Sequence, residues 1–296
     1  MDYVIETINL TKRFPSKTAV DCVNMHVAKG DIYGFIGRNG AGKTTAMKVM
    51  LGMLKPTEGE VLLFGSKNLT QARRRIGSLI EAPGLFKNCT AYENMKRQAI
   101  LSGGSDKEIK EILDFVGLGK VGNRPARAFS LGMKQRLGIA LALLGNPELM
   151  IMDEPINGLD PAGIKEIRDL IVKLNQEKGV TFIISSHLLD ELGKIATRYG
   201  IINNGKLVDE VEASVLMERC RKNLVIHVDD NEKAKAILQK NNLLKSYEEK
   251  PDGLVLFSDF EDSARINELL VQGGVKVSEL SSGDGDFENY FIERLG

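Results

Sequence analysis

Cysteine and histidine are scarce in this 296-residue chain. The three cysteines, Cys22, Cys89 and Cys220, are widely spaced and form no CxxC pair. That argues against a disulfide framework or a zinc site and fits a reducing cytoplasm. The three histidines, His26, His187 and His227, are too scattered to propose a metal cluster. Long apolar runs are missing too: pieces such as Ile139–Leu144 and Val180–Ile184 fall far short of a membrane span. The opening MDYVIETINLTKRF has no long apolar core, so no secretory leader is expected there. Neither charge is in excess. With 40 Lys plus Arg against 40 Asp plus Glu, nothing global attracts a polyanion, and no nucleic-acid partner is expected. The remaining composition, 43% hydrophobic and 27% charged, is that of an ordinary globular protein long enough for more than one domain.

What is present centres on Gly37-Arg38-Asn39-Gly40-Ala41-Gly42-Lys43-Thr44, with Thr45 behind it. The pattern is G-x-x-x-x-G-K-[ST], a phosphate-binding P-loop. Residues 31–36 read as a short buried strand entering it, and KTTAMKVMLGML (43–54) as a helix leaving it. Gly37, Gly40 and Gly42 let the backbone turn tightly, so that N–H groups converge on an anion at a helix N-terminus. Lys43 is expected to reach the β- and γ-phosphates, and the Thr44 hydroxyl to ligate Mg²⁺. Downstream, the apolar strand ELMIM (148–152) ends in Asp153-Glu154-Pro155, the Walker B arrangement. There the first carboxylate holds Mg²⁺ and the second can act on water.

The remaining pattern places these motifs. Residues 3–10 and 20–27 read as two strands of a small antiparallel layer. In the connection between them, Phe14 is either a ring that stacks on a flat ligand or a loop aromatic covering the core. Strands follow near 60–64 and 77–81. Residues 84–128 form a helical insertion, with helices at 90–101 (Thr90 as cap) and 105–116 (Ser105 as cap, Glu108 as its partner). A helix from Leu131 to Leu144 precedes the Walker B strand. An amphipathic helix spans 162–178, and a buried strand, 180–184, ends at Ser185-Ser186-His187. His187 thus sits at the C-terminal end of a strand, where open α/β sheets place ligands. A helix at 188–198 and a hairpin turning at Asn203-Asn204-Gly205 close this region, and 213–222 reads as a connecting helix. From 223 the order is βαββαβ, a ferredoxin-like pattern, followed by a polar loop at Ser281–Asp286 and a short helix at 287–295.

In this order, the pieces resemble an ABC-type ATPase, the nucleotide-binding subunit of a bacterial ABC transporter, over roughly residues 3–220. Gly37–Thr44 matches Walker A, Asp153-Glu154 matches Walker B with its catalytic glutamate, and Asn157-Gly158-Leu159-Asp160 looks like the D-loop. His187 falls at the family's switch histidine. Phe14 falls where the family stacks an aromatic on adenine. Two positions depart from the pattern. Phe129-Ser130-Leu131-Gly132-Met133 stands where the signature Leu-Ser-Gly-Gly-Gln is usual, and Glu81 replaces the Q-loop glutamine. With the C-terminal domain, both departures look like the subgroup that exports or defends against antimicrobial peptides of the bacitracin or lantibiotic type.

The resemblance implies an α/β fold: a P-loop NTPase of ABC type with a mixed core sheet flanked by helices, a small antiparallel layer and a helical subdomain at about 84–145. It also implies domains at 1–220 and 221–296, the second a ferredoxin-like accessory unit. Catalysis would fall to Glu154, His187 and Lys43. Nucleotide would be bound by Phe14, Gly37, Asn39, Gly40, Ala41, Gly42, Lys43, Thr44 and Thr45, and Mg²⁺ by Thr44, Asp153 and Glu81. Ser130, Gly132 and Met133 would act on ATP across a homo- or heterodimer of such subunits, with Asp160 in the D-loop. A separate transmembrane permease would dock at 84–128, holding the chain at the cytoplasmic face of the membrane. Three other readings stay open: a soluble ABC ATPase for cofactor assembly, a degenerate regulatory nucleotide-binding module, and a separate ligand function in residues 223–296.

Overall fold

The computed structural model describes residues 2–220, 223–258, 260–283, 290, 291 and 294. They form two compact units. The first is Met1–Ala213 together with Phe291–Gly296, and the second is Ser214–Tyr290.

The first unit opens with β1 (Tyr3–Phe14), β2 (Lys17–Val23) and β3 (His26–Ala28). The span 20–27, expected as one strand, is therefore two. Cys22 has a left-handed φ of 49°, and the Asn24 side chain accepts the Asn9 N–H at 2.7 Å, which breaks the ladder. Nor is 11–14 a loop: β1 runs to Phe14, pairing Arg13 with Thr18 and Phe14 with Lys17. Next come β4 (Ile32–Ile36), α1 (Lys43–Met50), β5 (Glu58–Leu63), α2 (Leu69–Ala72) and β6 (Ile76–Leu79). Helix α1 stops short of the expected 54, where Gly52 turns the backbone at φ 77°.

The helical segment holds α3 (Ala91–Ser102), α4 (Asp106–Phe115) and α5 (Leu131–Leu143). Both expected caps are complete capping boxes, Thr90 with Glu93 and Ser105 with Glu108. The unit continues with β7 (Leu149–Asp153), α6 (Pro161–Lys178), β8 (Thr181–Ser186), α7 (Leu189–Gly193), β9 (Arg198–Asn203) and β10 (Lys206–Glu212). The helix expected over 188–198 spans only α7. Beyond it the Thr197 hydroxyl accepts the Ile32 N–H at 3.0 Å, drawing the chain onto the sheet. The β9–β10 hairpin turns at Asn204 and Gly205, both at positive φ, as expected.

Six strands form the core sheet in the order β10-β9-β4-β8-β7-β6, parallel except for β10. Strands β2, β1, β3 and β5 form the antiparallel layer. Between the layers lies one apolar core that includes Ile5, Val27, Tyr33, Phe35, Met47 and Leu63. Glu210 of β10 ties the layers at a polar point: its carboxylate accepts from the Tyr33 hydroxyl at 2.7 Å and meets His26 Nδ1 at 2.9 Å. Burial and the facing Glu210 carboxylate push the Tyr33 phenol well above its ordinary pKa. Gly200 leaves room for this phenol, since a Cβ there would lie 2.0 Å from the hydroxyl oxygen. Phe291 belongs to the same unit and is fully buried, its ring edge-on to Tyr199 at 5.9 Å.

Helix α8 (Ala213–Arg219) carries the chain into the second unit. That unit comprises β11 (Asn223–Val228), α9 (Asn231–Lys240), β12 (Tyr247–Lys250), β13 (Gly253–Leu256), α10 (Ser263–Gln272) and β14 (Val277–Gly283). Its sheet order, β12-β13-β11-β14, is antiparallel throughout, the arrangement expected of βαββαβ. Leu224, Ile226 and Leu254 on the strands pack with Leu238, Ile266 and Leu270 on the helices. Residues 281–283, read as loop, extend β14. The helix expected at 287–295 lies mostly outside the described residues.

Candidate functional site

Three neighbouring parallel strands aim their C-terminal ends at one place. Strand β4 runs into the glycine-rich loop, β7 ends at Asp153, and β8, between them, ends at Ser186. The register sets Ile36 beside Ser186 and Asp153 beside Ser185. Residues far apart in the chain therefore meet at a sheet's carboxyl edge, where α/β folds bind ligands.

The loop and the start of α1 make the floor. Gly42 caps α1 at φ 116°, and a Cβ there would meet the Ala19 carbonyl at 2.3 Å, so only glycine suits the position. Gly37 and Ala41 are buried, whereas Asn39 and Gly40 face outward. Thr45 is half-buried in the first turn of α1. Lys43 is buried, and its ammonium donates to the Gly37 carbonyl at 2.5 Å while standing 3.5 Å from Glu154 Oε1.

Above that floor lie the carboxylates. The Thr44 hydroxyl donates to Asp153 Oδ2 at 2.6 Å, and the Ser185 hydroxyl donates to Asp153 Oδ1 at 2.5 Å. Glu154 follows with a left-handed φ of 49°. Its N–H donates to Ser185 Oγ at 2.9 Å, and its Oε2 lies 2.8 Å from His187 Nδ1. With Glu154 ionised, and so only an acceptor, Nδ1 would be the donor and Nε2 would be left for another partner. Glu154 Oε1 is buried and takes part in no hydrogen bond. Ser186 shapes the exit that presents His187, its hydroxyl accepting the Leu188 N–H at 2.9 Å. The cluster joins a cation, two carboxylates and an imidazole around oxygen ligands. Thr44 and Asp153 supply hard oxygen donors of the kind magnesium takes. Among the described residues, no three His, Cys, Asp or Glu side chains converge to hold a metal by themselves. A metal here would therefore complete its shell with substrate oxygens and water.

The other expected residues stand apart from this cluster. Phe14 ends β1 partly exposed, with the Lys12 ammonium 5.3 Å from its ring centre. Glu81 follows β6 at φ 63°; its side chain is 67% exposed and pairs with Lys48 of α1 at 2.6 Å, making no hydrogen bond to Thr44 or Asp153. Ser130 caps α5, accepting the Met133 N–H at 3.2 Å. The same helix start sits against the loop after Glu154: a Cβ on Gly132 would stand 3.8 Å from Leu159, and one on Gly158 would stand 3.4 Å from Leu131. Asp160 caps α6, accepting the Gly163 N–H at 3.0 Å. Among the described residues no hydrogen bond joins Ser130, Gly132, Met133 or Asp160 to Lys43, Glu154 or His187. Two contacts were not anticipated. Lys48 had no motif to mark it. Ser185 offered one sign, a hydroxyl ending an otherwise apolar strand, since a buried hydroxyl needs a partner.

Known proteins share this organisation. The family model described as "ABC transporter" matches residues 20–157. The bacitracin transport ATP-binding protein BcrA of Bacillus licheniformis is 43% identical over 301 residues, covering 100% of this chain and 98% of that protein. The lantibiotic transport ATP-binding protein SrtF of Streptococcus pyogenes is 46% identical over 204 residues, covering 69% of this chain and 89% of its own. The dimeric ATP-binding cassette MJ0796, solved with ADP and Pi in a post-hydrolysis state, aligns with a TM-score of 0.62 at 27% identity, covering 71% of this chain and 98% of that one.

Proposed function

Since this chain belongs to the ABC transporter family, as an ATP-binding subunit whose ATP hydrolysis is coupled to transport, we propose that it powers export of, or resistance to, an antimicrobial peptide of the bacitracin or lantibiotic kind. The observation that carries this reading is the full-length similarity to BcrA, which extends through the second unit as well as the ATPase.

The site residues then take these roles. Glu154, with one carboxylate oxygen buried, without a hydrogen bond and facing the Lys43 ammonium at 3.5 Å, polarises the attacking water as general base. His187 is oriented through Nδ1 by Glu154 and turns Nε2 toward the γ-phosphate. Lys43 leaves the Gly37 carbonyl for the phosphates and offsets charge developing on the transferred group. The N–H groups of the 37–45 loop cradle the phosphates, and Phe14 stacks on the adenine. Thr44 and Asp153, with Glu81 as a further donor, would hold magnesium, which neutralises charge on the β- and γ-oxygens. Ser130, Gly132 and Met133 meet the γ-phosphate bound by a second subunit, and Asp160 shapes the loop between. The dimeric state of MJ0796 supports that arrangement.

Because relatives of this chain are named as transport ATP-binding proteins, the transport path is assigned to a separate permease, which holds this chain at the cytoplasmic face; no helix among the described residues is long and apolar enough to cross a membrane. Ile100 and Leu101 are 74% and 82% exposed beside the exposed Phe86, an apolar patch on the helical segment suited to a permease helix.

The Glu81–Lys48 pair yields a prediction. Glu81 can serve the metal only by leaving Lys48. Lys48→Met should therefore lower the Mg²⁺ concentration for half-maximal turnover by about 1.4–5-fold, what an exposed ion pair of roughly 0.2–1 kcal/mol supplies. In a Glu81→Gln background the same change should have no effect. Titrating turnover with Mg²⁺ across the four proteins checks this, and additive effects would remove Glu81 from the metal.

The transport reading is tested by co-expressing the chain with its permease and reconstituting the complex in liposomes. ATPase stimulation by bacitracin or a lantibiotic is expected. A complex that hydrolyses ATP but responds to neither peptide would overturn the substrate class while leaving the ATPase intact.

A further inference from the structure

Ser185 is fully buried near the end of β8, and the parallel register sets it beside Asp153. Its one hydroxyl proton goes to Asp153 Oδ1 at 2.5 Å, while its oxygen accepts the Glu154 N–H at 2.9 Å. With Ser185 on Oδ1, the other oxygen of Asp153 is turned to Thr44, at 2.6 Å. The Glu154 backbone that Ser185 grips is the left-handed one, φ 49°, a conformation that costs free energy in a non-glycine residue and persists only where the surroundings hold it. From that backbone the Glu154 carboxylate reaches His187 and Lys43.

We infer that Ser185 is a positioning residue for ATP hydrolysis, whose single hydroxyl sets both the Asp153 carboxylate and the Glu154 backbone. The inference rests on the catalytic reading of Glu154 given above. Its chemistry is narrow. Alanine would leave a buried carboxylate oxygen and a backbone N–H without their partner, freeing the two acidic groups to rotate independently. Threonine keeps the hydroxyl and suits a strand. A residue that merely packed the core would change stability alone. One that sets the geometry of reacting groups changes turnover, because a displacement of about 1 Å at a catalytic group can cost about 10²-fold.

The test compares wild type, Ser185→Ala, Ser185→Thr and Glu154→Gln in the full chain. Steady-state ATPase, thermal melting and binding of a fluorescent N-methylanthraniloyl-ATP, with and without Mg²⁺, are measured on each. For Ser185→Ala, kcat should fall about 10–100-fold with KM within about threefold. Binding of the fluorescent nucleotide without Mg²⁺ should be unchanged, and its enhancement by Mg²⁺ should be reduced. Ser185→Thr should recover most of kcat. If Ser185→Ala keeps kcat within about twofold while Glu154→Gln is inactive, the Ser185 inference fails and the Glu154 reading stands. If Glu154→Gln is itself fully active, the Glu154 reading fails first. Should Ser185→Ala not fold, Ser185→Thr decides: a folded threonine variant with wild-type melting whose kcat still falls by about 10-fold or more would overturn the role of the hydroxyl.

Discussion

Glu154→Gln is expected to bind ATP and to hydrolyse it at least about 10²-fold more slowly than wild type, the lower end of what a general base supplies. The amide nearly matches the carboxylate in shape, so the His187 side of the residue can keep a hydrogen bond. What disappears is the basic oxygen, and with it the negative charge facing the bound triphosphate. Losing that charge also relieves repulsion in the ATP-bound state, so the variant should accumulate as a nucleotide-loaded dimer. Phosphate release measures the first effect, and size exclusion in ATP the second. Adding Ser130→Ala should abolish the dimer, since the hydroxyl proposed to meet the opposing γ-phosphate is gone. Turnover within a few-fold of wild type for Glu154→Gln would remove this residue from the chemistry.

Phe291→Ala is expected to destabilise the ATPase unit by about 3–5 kcal/mol, the usual cost of deleting a buried phenylalanine ring. The ring is fully buried against Tyr199 of β9, itself fully buried, and Arg294 pairs with Asp209 of β10 at 3.0 Å. Strand β9 lies directly beside β4, the strand that feeds the phosphate loop, so the loss falls on the site's own scaffold. The thermal midpoint should drop by roughly 10 °C. A chain stopped after Tyr290 should melt as low as the substituted one. Melting within about 2 °C of wild type for both would show that the ring contributes little.

Some of this was legible in the order of the residues and some was not. Lys43, Thr44, Asp153 and Glu154, which the fold brings together, could be singled out because phosphate and metal chemistry asks for set residue types at short spacing. Such spacing survives in one dimension. The cap at Thr90, the capping box at Ser105 and the turn at Asn204-Gly205 were visible for the same reason, since each is decided within four residues. The link from Ser185 to Asp153 was not visible, because it exists only once β7 and β8 pair in register. Lys48 against Glu81 is equally non-local. Misreadings came where a long-range bond overrode local pattern. Thr197 sits in a helical-looking run but satisfies the Ile32 N–H, and Asn24 splits an apolar strand by taking the Asn9 N–H. The return of Phe291 to the first unit follows from neither motif nor periodicity.

That return bears on how the protein is made. Chains emerge from the ribosome N-terminus first, and domains generally fold as they appear. Here the ATPase unit is nearly all synthesised by Ala213, yet the ring that fills its core beside Tyr199 arrives only after Ser214–Tyr290 has been translated. The second unit can thus be folded while the first still lacks Phe291 and Arg294, so the ATPase unit reaches its full stability only after Ser214–Tyr290 has been made.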